Sequence, residues 1–542
     1  MKPQEPQFSK ISRNALSTIT LLAITSRLLT WFIAFISTLI IDDYDSSVDT
    51  ILLTESELPT LIQNIFNRIF RVFLRWDSFY FLHIAEEGYV FEQSNAFFPF
   101  YPLLIRGLGN SVFLPLKSIL SYKQIMLLSG VLISNISFIL ASINLYKLSI
   151  KLFNDEKFAF ITAIFYIITP SCVFMSAIYT ESLFAYLGFL GMIFYVEKKY
   201  WKSAIVWSLA SFTRSNGIVF IGFFVYELLI KEIMRMDLKL LITRFVKTLL
   251  LSIITLSSFI AFQIYGYDSF CILFTPIRPW CYSKIPLLYS FVQEHYWNCG
   301  FLRYYEIKQI PNFVLASPMI ILSLFGIYKY ARYDLKRILS LNLISGNLAD
   351  KTSSSSEKKN DCSPYFSTSI LPFIYLWAIL LLYVITSMHI QVITRFFSSQ
   401  PTVYWFASHL FINSLTKSYK KVDDESSICT SCLKKKNSNE KKKTNVGIYL
   451  KEDNYETRDE KDKKENSNGY NKFEDGDIRR LKNGRCSICL NEREDKYYNN
   501  NNNNKKEEEE EEEGNLGYLV LSYFILYGLS GIILFAIFFP PA

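Results

Sequence analysis

The chain has no glycine-rich loop of the kind that cradles a nucleotide phosphate, no histidine cluster with metal-ligand spacing and no serine nucleophile elbow. Those absences exclude the nucleotide-loop, histidine-metal and serine-hydrolase chemistries that a short motif would announce. No basic stripe interleaved with stacking aromatics is present either. The formal net charge of +8 comes from Lys and Arg placed mainly in connections between apolar blocks, which marks membrane orientation and not a nucleic-acid footprint.

What is present is apolar sequence in blocks. Half of the 542 residues are hydrophobic, with 46 Phe and 35 Tyr, and several blocks reach the roughly 17 to 25 residues that cross a bilayer as a helix. The expected fold is an all-α polytopic membrane protein. Its first apolar run, residues 15–41, exceeds the roughly 7–15 residue core of a removable signal peptide and lacks a small-residue cleavage site, so it reads as an anchor. Lys2, Lys10 and Arg13 hold the N-terminus in the cytosol. Further spans are expected near 125–149, 158–176, 182–196, 244–265, 312–331, 367–388, 397–412 and 516–538. Residues 203–230 form one further apolar block, and a single helix there would carry Lys231, Arg235, Lys239, Arg244 and Lys247 to the wrong side. A break at Thr213–Gly217 resolves this with two short helices meeting in a cleft away from the cytosol, where irregular backbone is tolerated beside a wet cavity. The total is about eleven crossings.

Two connections depart from this pattern. Residues 346–365 form a polar cytosolic insert, and residues 413–515 a charged low-complexity one with Asn499–Asn504 and Glu507–Glu513; such composition cannot bury enough apolar surface to offset ordering entropy. The second insert is expected to be disordered. It holds Cys429-x-x-Cys432 and Cys486-x-x-Cys489, whose 53-residue separation far exceeds the usual zinc spacing of about 15–20. Cys271, Cys281 and Cys299 lie in a loop on the opposite side of the membrane, where one bridge among them is compatible with the topology and the pair is not readable.

The remaining sequence is organised around residues 75–106, which place acid, imidazole and aromatics between the first two spans. Ser78–Glu87 reads as a short helix with Asp77 at its start and Gly88 closing it in a left-handed cap. Trp76, Tyr80, His83 and Glu87 fall on one side of it. Asp77 therefore has two readings, helix N-cap or catalytic base, and they conflict, because helix N–H groups bonded to a carboxylate weaken it as a base. Asp43-Tyr-Asp45, beside the first span, reads as solvated loop.

Under this topology Tyr179-Thr-Glu-Ser182, Arg214-Ser-Asn216, His389–Phe396 and the loop Tyr296–Pro311 face the same side as Asp77. A charge at a helix centre costs about 2.5–3.5 kcal/mol on insertion scales, so these groups belong at interfaces or in a polar cavity. Glu181 reads as a helix cap or a ligand contact; Arg214 and Arg395, close to apolar segments, call for a carboxylate or phosphate partner. Arg27, deep in the first span, has no evident partner in the sequence.

The motifs occur in a telling order. Trp76-Asp-Ser, Phe81-Leu-His-Ile-Ala-Glu86, Phe97-Phe-Pro99, Tyr179-Thr-Glu-Ser-Leu-Phe184, Arg214-Ser-Asn-Gly217, Tyr296-Trp-Asn298 with Gly300–Glu306, Lys308–Phe313, and Thr394-Arg-Phe396 with Tyr404-Trp-Phe406 resemble the PIG-V family of GPI mannosyltransferases. The resemblance runs over 15–345, 366–412 and 516–538 and omits the two inserts. It implies a GT-C-type bundle in the endoplasmic reticulum membrane. Residues 1–345 would carry the catalytic core with lumenal loops 42–124 and 266–310, residues 366–412 further core helices, and 516–542 the final span.

The implied reaction moves mannose from dolichyl-phosphate mannose to the first mannose of the GPI precursor, in α1,6 linkage, on the lumenal face. A β-linked donor giving an α-glycoside requires inversion by a single displacement, with one base on the acceptor hydroxyl. Asp77 is the expected catalytic residue, with Glu86 or Glu181 sharing or replacing it. The leaving phosphate needs positive charge, for which Arg214, Arg395 and His83 are candidates. Trp76, Asn216 and Gln391 complete the expected substrate contacts, Trp76 by stacking on a sugar or packing beside the loop. No metal or cofactor is expected beyond the donor lipid. Expected partners are ER membrane lipid, the GPI precursor glycolipid and dolichyl-phosphate mannose, with room for a small membrane partner subunit and no nucleic acid. Competing readings are another dolichol-linked GT-C mannosyltransferase and a multi-pass membrane transporter, although only one broken helix and no internal repeat are found.

Overall fold

A computed structural model of the chain describes residues 12–44, 48, 60–233, 238–272, 277–343, 363–418 and 504–539. Among the described residues there are helices, turns and loops and no strand. Six helices among the described residues are long and apolar enough to cross a membrane: Arg13–Ile40, Tyr122–Phe153, Leu238–Ile272, Ile307–Tyr333, Thr368–Ser387 and Asn515–Ala536. Shorter apolar helices, Glu181–Val196 and Ser215–Ile230, lie between them. The polytopic, all-helical expectation therefore holds, and the expected spans coincide with helices except in one place.

Helix boundaries follow local chemistry. Ser12 accepts from the Ala15 N–H at 3.4 Å to start the first span, and Ser121 with Gln124 forms a reciprocal capping box at the start of Tyr122–Phe153. That helix closes on Asn154 at φ 53°, and Asp155 caps the next one through the Phe158 N–H. The exception is the span expected over 158–176. Its helix stops at Ile167 and the chain runs irregularly to Glu181. Pro170 explains the stop, since it has no N–H to give and disfavours helical backbone at the residue before it.

Irregular backbone at that depth needs protein partners, and Arg27 supplies several. Its Nη1 donates to the Cys172 carbonyl at 2.7 Å and to Ser176 Oγ at 3.1 Å, while its guanidinium lies 3.8 Å from the Phe138 ring centroid. Asn135 Nδ2 donates to the Ser176 carbonyl at 3.2 Å. The arginine without an evident partner in the sequence is thus a strut under the segment that leads into Glu181.

The break expected at Thr213–Gly217 is present. Tyr200–Thr213 ends there, Arg214 is extended, and a 3-10 turn over Ser215–Phe220 begins the next element. Glycine is required at 217, because a Cβ would stand 2.5 Å from the Ser211 backbone nitrogen.

The loop between 266 and 310 packs around a Cys271–Cys281 disulfide, leaving Cys299 free. Beside it the buried Glu92 accepts from Arg278, from Trp280 Nε1 at 2.7 Å and from the Tyr296 hydroxyl at 2.8 Å. Burial alone would raise the Glu92 carboxyl; these donors hold it below the usual carboxylate range.

Asp43 corrects an expectation. Its side chain is 9% exposed and pairs with Arg71 and Arg75, so it is not solvated loop. Residues Ile412–Gly517 form a second unit, in whose described part the Gly517 N–H donates to Ser414 Oγ at 3.0 Å. The Cys-x-x-Cys pairs, most of the 413–515 insert and most of 346–365 lie outside the described residues.

Candidate active site

The Ser78–Glu87 helix forms as its sequence predicts, and Gly88 leaves it at φ 88°. Asp77 stands at its start without capping it: no side-chain bond runs from its carboxylate to the helix N–H groups. The carboxylate turns instead to Arg395, whose Nη2 donates to Oδ2 at 2.9 Å. The preceding residue, Trp76, takes φ 55°, a left-handed conformation that is an outlier for a bulky side chain. Tyr179 fixes the turn from below, its hydroxyl donating to the Arg75 carbonyl at 3.0 Å and accepting the Asp77 N–H at 3.2 Å.

Arg395 continues the chain of charges. Its Nε donates to Glu181 Oε1 at 2.7 Å, and Arg214 Nη1 reaches that same oxygen at 2.9 Å. Arg214 also donates to Thr180 Oγ1 at 3.2 Å. The side chain of Glu181 is fully buried, whereas those of Asp77, Arg395 and Arg214 keep 32%, 17% and 19% exposure. The Arg395 guanidinium also lies 4.7 Å from the Phe174 ring and 4.8 Å from the Tyr179 ring. Two carboxylates and two guanidiniums from four separate stretches thus alternate in one partly open line. Glu181 Oε2 is buried with no hydrogen-bond donor on it among the described residues.

The structure brings together Asp77, Glu181, Arg214 and Arg395, and the other expected site residues stand outside this line of charges. His83 stacks on Phe91 at 5.4 Å, with Nε2 buried and no hydrogen-bond partner among the described residues. Glu86 sits nine residues beyond Asp77, about 13 Å of helix rise, and its carbonyl accepts from Arg106 Nη2 at 2.7 Å. Neither His83 nor Glu86 joins the charged line. Asn216 is buried in the turn after Arg214 and bonds to no site carboxylate. Gln391 Oε1 accepts from the Tyr304 hydroxyl at 3.1 Å, and Trp76 packs on Phe538 at 5.2 Å. Tyr179 and Thr180 bond to this group as well, to the Asp77 N–H and to Arg214, and both lie within a motif that the sequence singles out without naming them as site residues.

Aromatics enclose the same helix. Tyr80 stacks on Phe97 at 4.6 Å, and burial, with the Asp77 carboxylate nearby, raises its hydroxyl above the ordinary value. Trp297 lies edge-on to both, and its carbonyl contacts His389 Nε2 at 2.7 Å. At the far end of the helix an apolar cavity of about 350 Å³ is lined by Ile84, Tyr89, Leu103, Phe212 and Phe262. Phe212 stands two residues from Arg214.

This arrangement defines a polytopic helical membrane protein with a candidate acid-and-arginine site at its helix ends and an apolar cavity at the far end of the Ser78–Glu87 helix. The chain belongs to the PIG-V mannosyltransferase family, and is accordingly a mannosyltransferase: residues 16–441 match the family described as Mannosyltransferase (PIG-V). It is similar to the GPI alpha-1,6-mannosyltransferase 2 of Cricetulus griseus, 32% identical over 425 residues that cover 72% of this chain and 83% of the relative. Against the Homo sapiens protein of that name the identity is 31% over 444 residues, 76% and 85% of the two chains. The Schizosaccharomyces pombe GPI mannosyltransferase 2 is 33% identical over 363 residues, 66% and 69%. No solved structure matches the chain.

Proposed function

We propose that this protein transfers mannose from dolichyl-phosphate mannose to the first mannose of the GPI precursor, in α1,6 linkage, at the lumenal face of the endoplasmic reticulum membrane. The observation that carries the reading is the Asp77 carboxylate held on Arg395 and not on its own helix. In the proposed step Asp77 takes the proton of the acceptor hydroxyl as that oxygen forms its bond to the mannosyl anomeric carbon. The bond from that carbon to the donor phosphate breaks with inversion, and dolichyl phosphate leaves with the electron pair. Arg395 and Arg214 meet its charge, and Glu181 holds both in register. The incoming phosphate takes Arg395 Nη2 from Asp77, leaving that carboxylate oxygen to the acceptor.

The apolar cavity suits the first part of the prenyl chain, because the donor's phosphate joins the reacting carbon directly to that chain, whereas sugar rings separate the acceptor's reacting mannose from its lipid. The lumenal side is supported by the basic N-terminus and by a disulfide in the loop whose Trp297 packs against Tyr80.

The test is complementation of cells lacking the second GPI mannosyltransferase, comparing wild type with Asp77→Asn at matched abundance. Restored surface GPI-anchored protein with wild type, and a one-mannose intermediate accumulating with Asp77→Asn, is the expected result. Full rescue by Asp77→Asn would reject Asp77 as the base; no rescue by correctly localised wild type would reject the acceptor.

A further inference from the structure

Two residues before Asp77 stands Arg75, with 0% of its surface exposed. A guanidinium that is fully buried is tolerated only where its donors are met. Here they are met by residues far apart in the chain. Nε and Nη2 donate to the Ala536 carbonyl at 3.2 and 2.7 Å, and Nη2 also reaches Asp43 Oδ2 at 3.0 Å. Nη1 donates to the Arg71 and Leu74 carbonyls at 3.2 and 3.4 Å, and the group lies 5.2 Å from the Phe538 ring centroid. Asp43 follows the first span and Ala536 ends the last. A backbone bond joins the same two ends, from the Tyr44 N–H to the Ile537 carbonyl at 2.9 Å.

The backbone of Arg75 is gripped as firmly as its side chain. Its carbonyl accepts from Ser78 Oγ at 2.6 Å, from the Tyr179 hydroxyl at 3.0 Å and from the Ser78 N–H at 3.1 Å. Between this anchor and Asp77 lies only Trp76, at φ 55°. A left-handed tryptophan persists only where its surroundings over-determine it. Were Trp76 to relax to extended backbone, Asp77 would be free to take the ordinary N-cap geometry, with its carboxylate on the first N–H groups of its own helix.

We infer that Arg75, clamped by Asp43 and the Ala536 carbonyl, is a positioning residue for mannosyl transfer: it holds Trp76 left-handed and so keeps the Asp77 carboxylate on Arg395 and off its own helix. This rests on the reading of Asp77 as the base. The ends of the first and last spans thereby select one of the two roles that an aspartate at a helix start can play.

The test uses the full chain in microsomes from cells lacking the endogenous enzyme, with kcat and both KM values measured at matched abundance for Arg75→Lys and Asp43→Asn. Each is paired with Trp76→Ala and Trp76→Gly; both substitutions remove the indole, and only glycine takes positive φ freely. With Arg75 intact, the Ala and Gly variants should have similar kcat. With Arg75→Lys, kcat should fall at least tenfold at little-changed KM, and Trp76→Gly should exceed Trp76→Ala by roughly tenfold, the factor set by the left-handed penalty for an L side chain. A role in folding alone would lower abundance equally in both. Should Arg75→Lys not accumulate, Asp43→Asn carries the same comparison. Wild-type kcat in Arg75→Lys, or no advantage of glycine over alanine in the weakened background, would overturn the inference. Full activity of Asp77→Asn would overturn it together with the reading beneath it, whereas an inactive Asp77→Asn beside a fully active Arg75→Lys overturns the inference alone.

Discussion

Replacing Glu181 by glutamine removes one negative charge from a line of two carboxylates and two guanidiniums and changes little else in shape. One oxygen of Glu181 accepts from Arg395 at 2.7 Å and from Arg214 at 2.9 Å, and the side chain is fully buried. A single ion pair near 4 Å is worth about 4 kcal/mol at the effective dielectric found near protein surfaces, and removing one partner of a buried pair costs roughly 3–5 kcal/mol. The low end applies, because Arg395 and Arg214 keep 17% and 19% exposure and the glutamine carbonyl still accepts one of the two bonds. About 3 kcal/mol lost from the positioning of Arg395 corresponds to roughly a hundredfold fall in kcat/KM. Glu181→Asp keeps the charge on a shorter arm and should lose less. The assay is transfer of labelled mannose from the donor lipid to a synthetic acceptor in microsomes at matched abundance. Activity of Glu181→Gln within threefold of wild type would refute the reasoning, since the charge would then be dispensable to both arginines.

Two further predictions concern the framework. Glu92 has its carboxyl held low by Arg278, Trp280 and Tyr296, so it contributes stability above the unfolded carboxylate value, near pH 4.3, and loses that contribution as pH falls through the lower folded value. Limited proteolysis of the 266–310 loop in detergent should therefore accelerate below about pH 4 in wild type, and Glu92→Gln should be cut faster at neutral pH with little further change on acidification. Gly217→Ala forces a Cβ to within 2.5 Å of the Ser211 backbone nitrogen and should cost about 1–3 kcal/mol, read as a lower unfolding midpoint in detergent.

Most of the fold was legible because membrane helices announce themselves by length and hydropathy, and the break before Gly217 because basic residues on both sides left a single helix no consistent orientation. The span over 158–176 was misjudged for an instructive reason. Composition alone does not separate a helix from irregular backbone when both are buried, and here Arg27 and Asn135 feed carbonyls that a helix would have bonded internally. Asp43 was misplaced because its partner Arg75 lies 32 residues on, beyond any helical spacing a sequence pattern can register. The Glu92 cluster escaped notice on the same grounds, since its arginine is 186 residues away.

The four charged residues of the candidate site are legible in the sequence for the opposite reason. Asp77, Glu181, Arg214 and Arg395 adjoin apolar sequence, where an unmatched charge is costly, and the topology delivers all four to the same side. Two acids and two arginines in that position settle their cost only by meeting one another, so their association follows from insertion energetics before any argument about catalysis. That same logic separates them from His83 and Glu86, which sit further along a helix in the loop between spans and face no comparable demand for one another. What the charges could not disclose is the orientation of Asp77. Its backbone position is that of a capping residue, and only the left-handed Trp76, the buried Arg75 and the Tyr179 hydroxyl between them turn its carboxylate to Arg395.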